Sequence, residues 1–117
     1  MINPFPERGQ IWLVNLDPTI GAEIKKIRPS VVISNNVNNQ YASTVTVLPI
    51  TDKGSNVYPF EVSLPASSHN LKKDSKIKCQ QIRTVDKTRL IKSIGKVSND
   101  KIQEIEQALL IHLDVEK

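Results

Sequence analysis

Two β-branched runs, PSVVIS from Pro29 to Ser34 and STVTVLPIT from Ser43 to Thr51, stand on either side of the polar tract NNVNNQYA. Val, Ile and Thr fit a pleated surface and lose rotamer freedom against the turn of a helix, so both runs predict strands. The Asn-rich tract has turn chemistry and predicts a loop between them. Consecutive strands are neighbours about two-thirds of the time. An antiparallel pair is therefore expected, with the start of the first run beside the end of the second.

The rest of the chain must be built around that pair. RGQIWLVNL, residues 8–16, reads as a mostly buried first strand behind a proline-marked leader. DPTIGAEIKKI, residues 17–27, breaks the pattern with Asp17-Pro18 and Gly21 and is long for a hairpin connection, which suggests a mobile flap. PFEVSL, SKIKCQQIRTV and LIKSIGKV add short strand candidates. Only the C-terminus has helical period: from Asn99 to Leu113, Ile102, Ile105, Leu109 and Leu113 share one face, with Ser98 or Asn99 as cap and Asp100 near the positive end of the dipole. The expected fold is mainly β with a C-terminal α-helix, a small and strongly bent barrel with the helix packed on it.

The chain has 117 residues, 38% apolar and 24% charged, consistent with one domain over residues 1–117. A domain of this size buries roughly 65 to 70% of its unfolded surface. Dimerisation would add burial. Sixteen Lys and Arg against twelve Asp and Glu give a formal +4, which favours a polyanionic partner and equally describes a slightly basic solvated surface. Cys79 is the sole cysteine, so no intrachain disulfide forms and a reducing cytoplasm is expected. No apolar run approaches the roughly 18 to 20 residues that a membrane span needs. No membrane contact is expected.

Chemistry enters at the strand ends. A residue before proline is pushed out of the helical region, so Arg28 stands on an extended backbone preset by Pro29. Its guanidinium fork matches phosphate oxygens, and a surface ion pair with Glu23 is the structural alternative. Thr51 ends the next strand just past Pro49, where a threonine is ordinarily a turn cap. If the two strands pair, Arg28 and Thr51 share one end of the sheet.

RGQIWLVNLDPTIGAEIKKIRPSVVISN, VTVLPIT and QIRTVDKTRL, in this order and spacing, together resemble the MazF/PemK (Kid) toxins of bacterial toxin–antitoxin systems. The resemblance covers nearly the whole chain. It implies an SH3-like β-barrel with a C-terminal helix, a homodimer, and an endoribonuclease that cuts single-stranded RNA (mRNA) without metal or other cofactor. It also implies a cognate antitoxin whose acidic, disordered tail occupies the site. Carried over residue by residue, the arginine of the RP pair is Arg28, its partner threonine is Thr51, and the acid of the first loop is Glu23. The plasmid-type branch has a histidine after DPTxG and an aspartate before QxRT, where this chain has Ala22 and Gln80. A mechanism using those two groups is not open to this chain.

RNA carries its own nucleophile, the 2′-OH, so the enzyme must position it, neutralise charge on the phosphoryl oxygens and move two protons. Arg28 supplies charge and Thr51 a hydroxyl. Glu23 is the first candidate base and Arg28 the second, arginine being a poor base with a pKa above about 12. No His-x-x-x-His or Asp-x-Asp motif offers metal ligands, and His69 and His112 have no partner in sequence.

Further candidates surround these. Lys25, Lys26 and Lys53 could track phosphates, with solvated lysines the commoner outcome. Asn36, with Asn35, Asn38 and Asn39, and the flap residues could read bases, and Tyr41 is the obvious stacking side chain. Gln81 and Arg83 could back the site, with Thr84 as buttress. Arg83, Asp86 and Arg89 lie three apart and would form an ion-pair ladder if the chain turns helical from Val85. A non-catalytic binding module on the same barrel, like the gyrase-poison toxins, is the alternative function. The charged ending HLDVEK, without a Trp, argues against it.

Overall fold

A computed structural model describes residues 5–54, 56–66 and 71–116. Seven strands form one antiparallel sheet: β1 (Gln10–Asn15), β2 (Ile27–Val32), β3 (Thr44–Asp52), β4 (Glu61–Leu64), β5 (Ser75–Lys78), β6 (Arg83–Asp86) and β7 (Leu90–Lys96). Helix α1 (Asn36–Tyr41) lies between β2 and β3, and helix α2 (Asn99–His112) closes the chain. The strand order is β4-β5-β3-β2-β1-β7, with β6 also paired to β3.

The β-branched runs pair as expected, with Ser30 opposite Pro49, Val31 opposite Leu48 and Val32 opposite Val47. Their continuous apolar character has a cause, because both faces are covered. Val31, Ile33, Leu48 and Ile50 join Ile77, Val62 and the Ile105 and Ala108 of α2 in one core cluster. Val32, Val45 and Val47 alternate to the opposite face and pack with Val14, Leu16 and Val85. Helix α2 is capped by Ser98, whose hydroxyl accepts from the Lys101 N–H at 3.2 Å. Leu113 is an exception to the expected face: it is 56% exposed, at the point where the helix ends.

Three expectations are corrected. The tract after β2 is a helix, not a loop: Asn35 caps it by accepting from Asn38 N–H at 2.8 Å, and the buried Asn39 bonds Ser34 and Asn36. The flap is fastened, not free. Leu16 N–H donates to Lys26 C=O at 2.9 Å and Lys26 N–H to Asp17 Oδ1 at 3.0 Å, while Ile24 N–H donates to Gln81 Oε1 at 2.8 Å. No ion-pair ladder forms along Arg83, Asp86 and Arg89. β6 is extended, so residues three apart point to opposite faces, and each side chain finds another partner. Arg83 donates to Leu16 C=O at 3.1 Å, Arg89 to the carbonyls of Asn15 and Asp17, and Asp86 caps the short turn Lys87–Arg89 through Thr88. Those Thr88 bonds hold the Asp86 carboxyl below its ordinary pKa.

Candidate active site

β3 outruns β2. Its first half pairs with β2 on one edge and β6 on the other, and from Ile50 to Asp52 it pairs with β5. Continuing the Ser30–Pro49 register by one same-face step sets Arg28 opposite Thr51. No ladder bond closes the strands there. The sheet parts, and a groove of about 520 Å³ opens between them, lined by Arg28, Pro29, Thr51, Asp52 and Ser75, by Lys72 and Lys73, and by the apolar Leu13, Ile50, Leu71 and Ile94.

Arg28 keeps its backbone in the sheet, paired with Val14 of β1, while its side chain is exposed. Its Nε donates to Lys25 C=O at 3.3 Å, and the rest of the guanidinium fork has no partner among the described residues. The Glu23 ion pair is absent. Glu23 instead accepts from Ile20 N–H at 2.8 Å and lines a separate hollow with Ala22, Gln80, Gln81, Ile82 and Arg83. Arg28 and Thr51 are thus brought together, and Glu23 stands apart.

The remaining candidates divide. Lys25 and Lys53 are exposed beside the groove residues in sequence. Lys26 has its backbone at φ 69, the left-handed region, two residues before Arg28. Gln81 spends its amide on the Ile24 N–H and the Ala22 carbonyl, and Arg83 spends an N–H on Leu16, so both fasten the β1–β2 loop. Thr84 is exposed opposite Thr46. Asn36 is engaged with Arg8 N–H at 2.7 Å and Asn39 at 3.1 Å, and Tyr41 is 78% exposed at the end of α1. His69 lies outside the described residues, and His112 is exposed at the end of α2. Among the described residues no three His, Cys, Asp or Glu side chains gather as a metal cage.

Two features escaped the reading of the sequence. Lys72 and Lys73 line the groove; the run LKKDSKIK carries that signal, and only the pairing of β5 to β3 brings it to Thr51. The second is Glu61, whose side chain is fully buried on β4. Its carboxylate meets Lys76 Nζ at 2.9 Å, Lys78 Nζ at 3.9 Å, Gln80 Nε2 at 2.7 Å and Tyr58 N–H at 3.1 Å. Burial pushes its pKa up, and the bonds from Gln80, Lys76 and Tyr58 outweigh that and leave it below the ordinary value. Cys79 beside it is buried too, and burial together with the Glu61 charge pushes its thiol up to about 12.

Comparison with known proteins agrees with this architecture. Residues 7–113 match the family model of the PemK-like, MazF-like toxins of type II toxin–antitoxin systems. Endoribonuclease MazF9 of Mycobacterium tuberculosis is 41% identical over 113 residues, covering 92% of this chain and 96% of that protein. The crystal structure of MazF (Form-I) from Deinococcus radiodurans superposes with a TM-score of 0.82 at 25% identity, covering 97% of this chain and all of that one (100%). An endoribonuclease in complex with its cognate antitoxin, from a Mycobacterial species, gives a TM-score of 0.79 at 23% identity over 96% of this chain and 98% of its own. With the match running from the first strand through the last helix, the chain belongs to the PemK-like, MazF-like toxins of type II toxin–antitoxin systems.

Proposed function

We propose that this protein is a sequence-specific, metal-independent endoribonuclease that cuts single-stranded mRNA in the cytoplasm. One observation carries the reading: Arg28 and Thr51 line the same groove at the parted end of β2 and β3. A relative 41% identical is named an endoribonuclease, which supports the reaction class.

In this mechanism the ribose 2′-OH loses its proton and attacks the adjacent phosphorus in line, and the bond to the 5′ oxygen of the next nucleotide breaks, that oxygen leaving with the bonding pair and taking a proton from solvent. The products are a 2′,3′-cyclic phosphate and a 5′-OH. Arg28 offers N–H donors to the phosphoryl oxygens as charge builds on them, and Thr51 adds a hydroxyl donor, an oriented contribution worth about 2.7 to 4 kcal/mol per donor. Glu23, the first candidate to take the 2′ proton, lines a separate hollow and so would do it only through relayed water, using the carboxylate oxygen free of partners among the described residues. Arg28 is the second. Lys25, Lys26 and Lys53 are proposed phosphate contacts, Asn36 and Gln81 further RNA contacts and Tyr41 a stacking surface, while Arg83 and Thr84 support the site.

The active unit is proposed to be a homodimer of closed SH3-like barrels, one domain per chain, silenced by a cognate antitoxin whose acidic, disordered tail fills the groove. Structures of relatives crystallised with their antitoxins support that partner class. The test of the reaction is incubation with long single-stranded RNA in EDTA. Wild type should cut, and folded Arg28→Ala and Thr51→Ala variants should each lose about 100-fold or more in rate. Intact RNA with wild type, or equal cutting by all three, overturns the proposal.

A further inference from the structure

Strand β5 carries the anomaly. Lys76 is the register partner of Thr51 on β3 and of Ser63 on β4, and Lys78 is the partner of Glu61. Side chains two apart on a strand share a face, so Thr51, Lys76, Lys78 and Glu61 stand on one side of the sheet. Lys76 is held there three ways: by Glu61 at 2.9 Å, by the Asn56 carbonyl at 2.8 Å, and over the Tyr58 ring at 5.7 Å. Lys78 is held more loosely. At 3.9 Å from Glu61 it is within Coulomb range and beyond hydrogen-bond length, its side chain is 25% exposed, and its three N–H donors have no partner among the described residues.

The bonds to this buried carboxylate outweigh its desolvation, and part of their attraction is spent offsetting that cost. Two lysines around one carboxylate also overcompensate it, leaving one positive charge on the face of the sheet that carries Thr51. Gln80 completes the surround with its Nε2 on Glu61 and leaves its own buried Oε1 without a partner among the described residues. This arrangement is built to fix cations, not to cancel them. We propose that Glu61 is a positioning residue that holds Lys76 and Lys78 as a cation pair beside Thr51, where Lys78 takes a phosphate of the bound single strand. The inference rests on the nuclease reading of this site and extends it: Arg28 approaches the backbone from β2, and the lysine pair approaches it from β5.

Binding of a mixed-sequence, 2′-O-methylated oligoribonucleotide, which lacks the nucleophile, separates the two claims. The slope of log affinity against log salt should shrink by about 0.7 in Lys78→Gln, the value of one single-strand phosphate contact, and return in Lys78→Arg. A merely structural lysine would change the melting temperature and leave that slope alone. Glu61→Gln should keep the slope, since both lysines stay charged, and lose about tenfold in kcat/KM on cleavable RNA, the worth of one well-oriented charged hydrogen bond. Should Glu61→Gln fold poorly, Glu61→Asp keeps the charge, withdraws it from both lysines by one methylene, and should show the same loss. An unchanged slope in Lys78→Gln, or wild-type cutting by both Glu61 variants, overturns the inference while the nuclease stands. A slope that shrinks in Lys78→Gln beside a wild type that binds and fails to cut RNA overturns the nuclease alone, and wild type that does not bind overturns both.

Discussion

Arg28 owes its place to Pro29. Proline preset the extended backbone, and β1 supplies the pairing that keeps it there. That much was legible, because the constraint is local. Glu61 was not. PFEVSL offers only a short strand candidate, and the pairing of β4 with β5 is what stacks Glu61 against Lys76 and Lys78. Lys26 gives a test at this scale. A left-handed φ costs a residue with a Cβ about 1 to 2 kcal/mol, and glycine avoids it. Lys26→Gly should therefore raise the denaturation midpoint or leave it unchanged, even as the lost charge weakens RNA binding. Cys79 gives another, since a buried thiol raised to about 12 is almost wholly protonated at neutral pH. It should resist aromatic disulfide reagents in buffer and react stoichiometrically once guanidinium unfolds the chain.

Among the elements, most strands and α2 were readable, but SKIKCQQIRTV breaks into β5 and β6 at the turn Cys79–Gln81, and α1 was hidden by its composition. Asn and Gln favour turns over helix, so NNVNNQ has little intrinsic tendency to coil. Caps and burial override that tendency: Asn35 caps the first turn, Asn39 is buried with bonds to Ser34 and Asn36, and Asn38 reaches the Thr44 carbonyl at 3.1 Å. Asn35→Ala should cost about 1 kcal/mol in urea denaturation, with the slope unchanged. The β1–β2 loop was misjudged for a similar reason. Its length argued for mobility, while the bonds that hold it come from Gln81, Arg83 and Arg89, more than fifty residues away. Gln81→Ala should speed amide exchange at Ile24, and leave exchange in α2 as it was.

Over the whole molecule, pH stability follows from Glu61. Its folded pKa lies below the ordinary 4.5, so the unfolded chain takes up the proton first as acid is added. The stabilisation is complete above about pH 4.5 and erodes as the pH falls through the lower folded value. Thermal midpoints should drop as the pH falls below about 4.5, and Glu61→Gln should flatten that part of the curve. β3 sets a different kind of limit. One strand of nine residues is shared among β2, β5 and β6, like a spine gripped by three hands. Val47 is paired on both edges, to Val32 and Arg83, and should carry the slowest-exchanging amide of the strand, while Ile50 to Asp52, paired to β5 alone, leave one edge open to receive an inhibitor of this toxin.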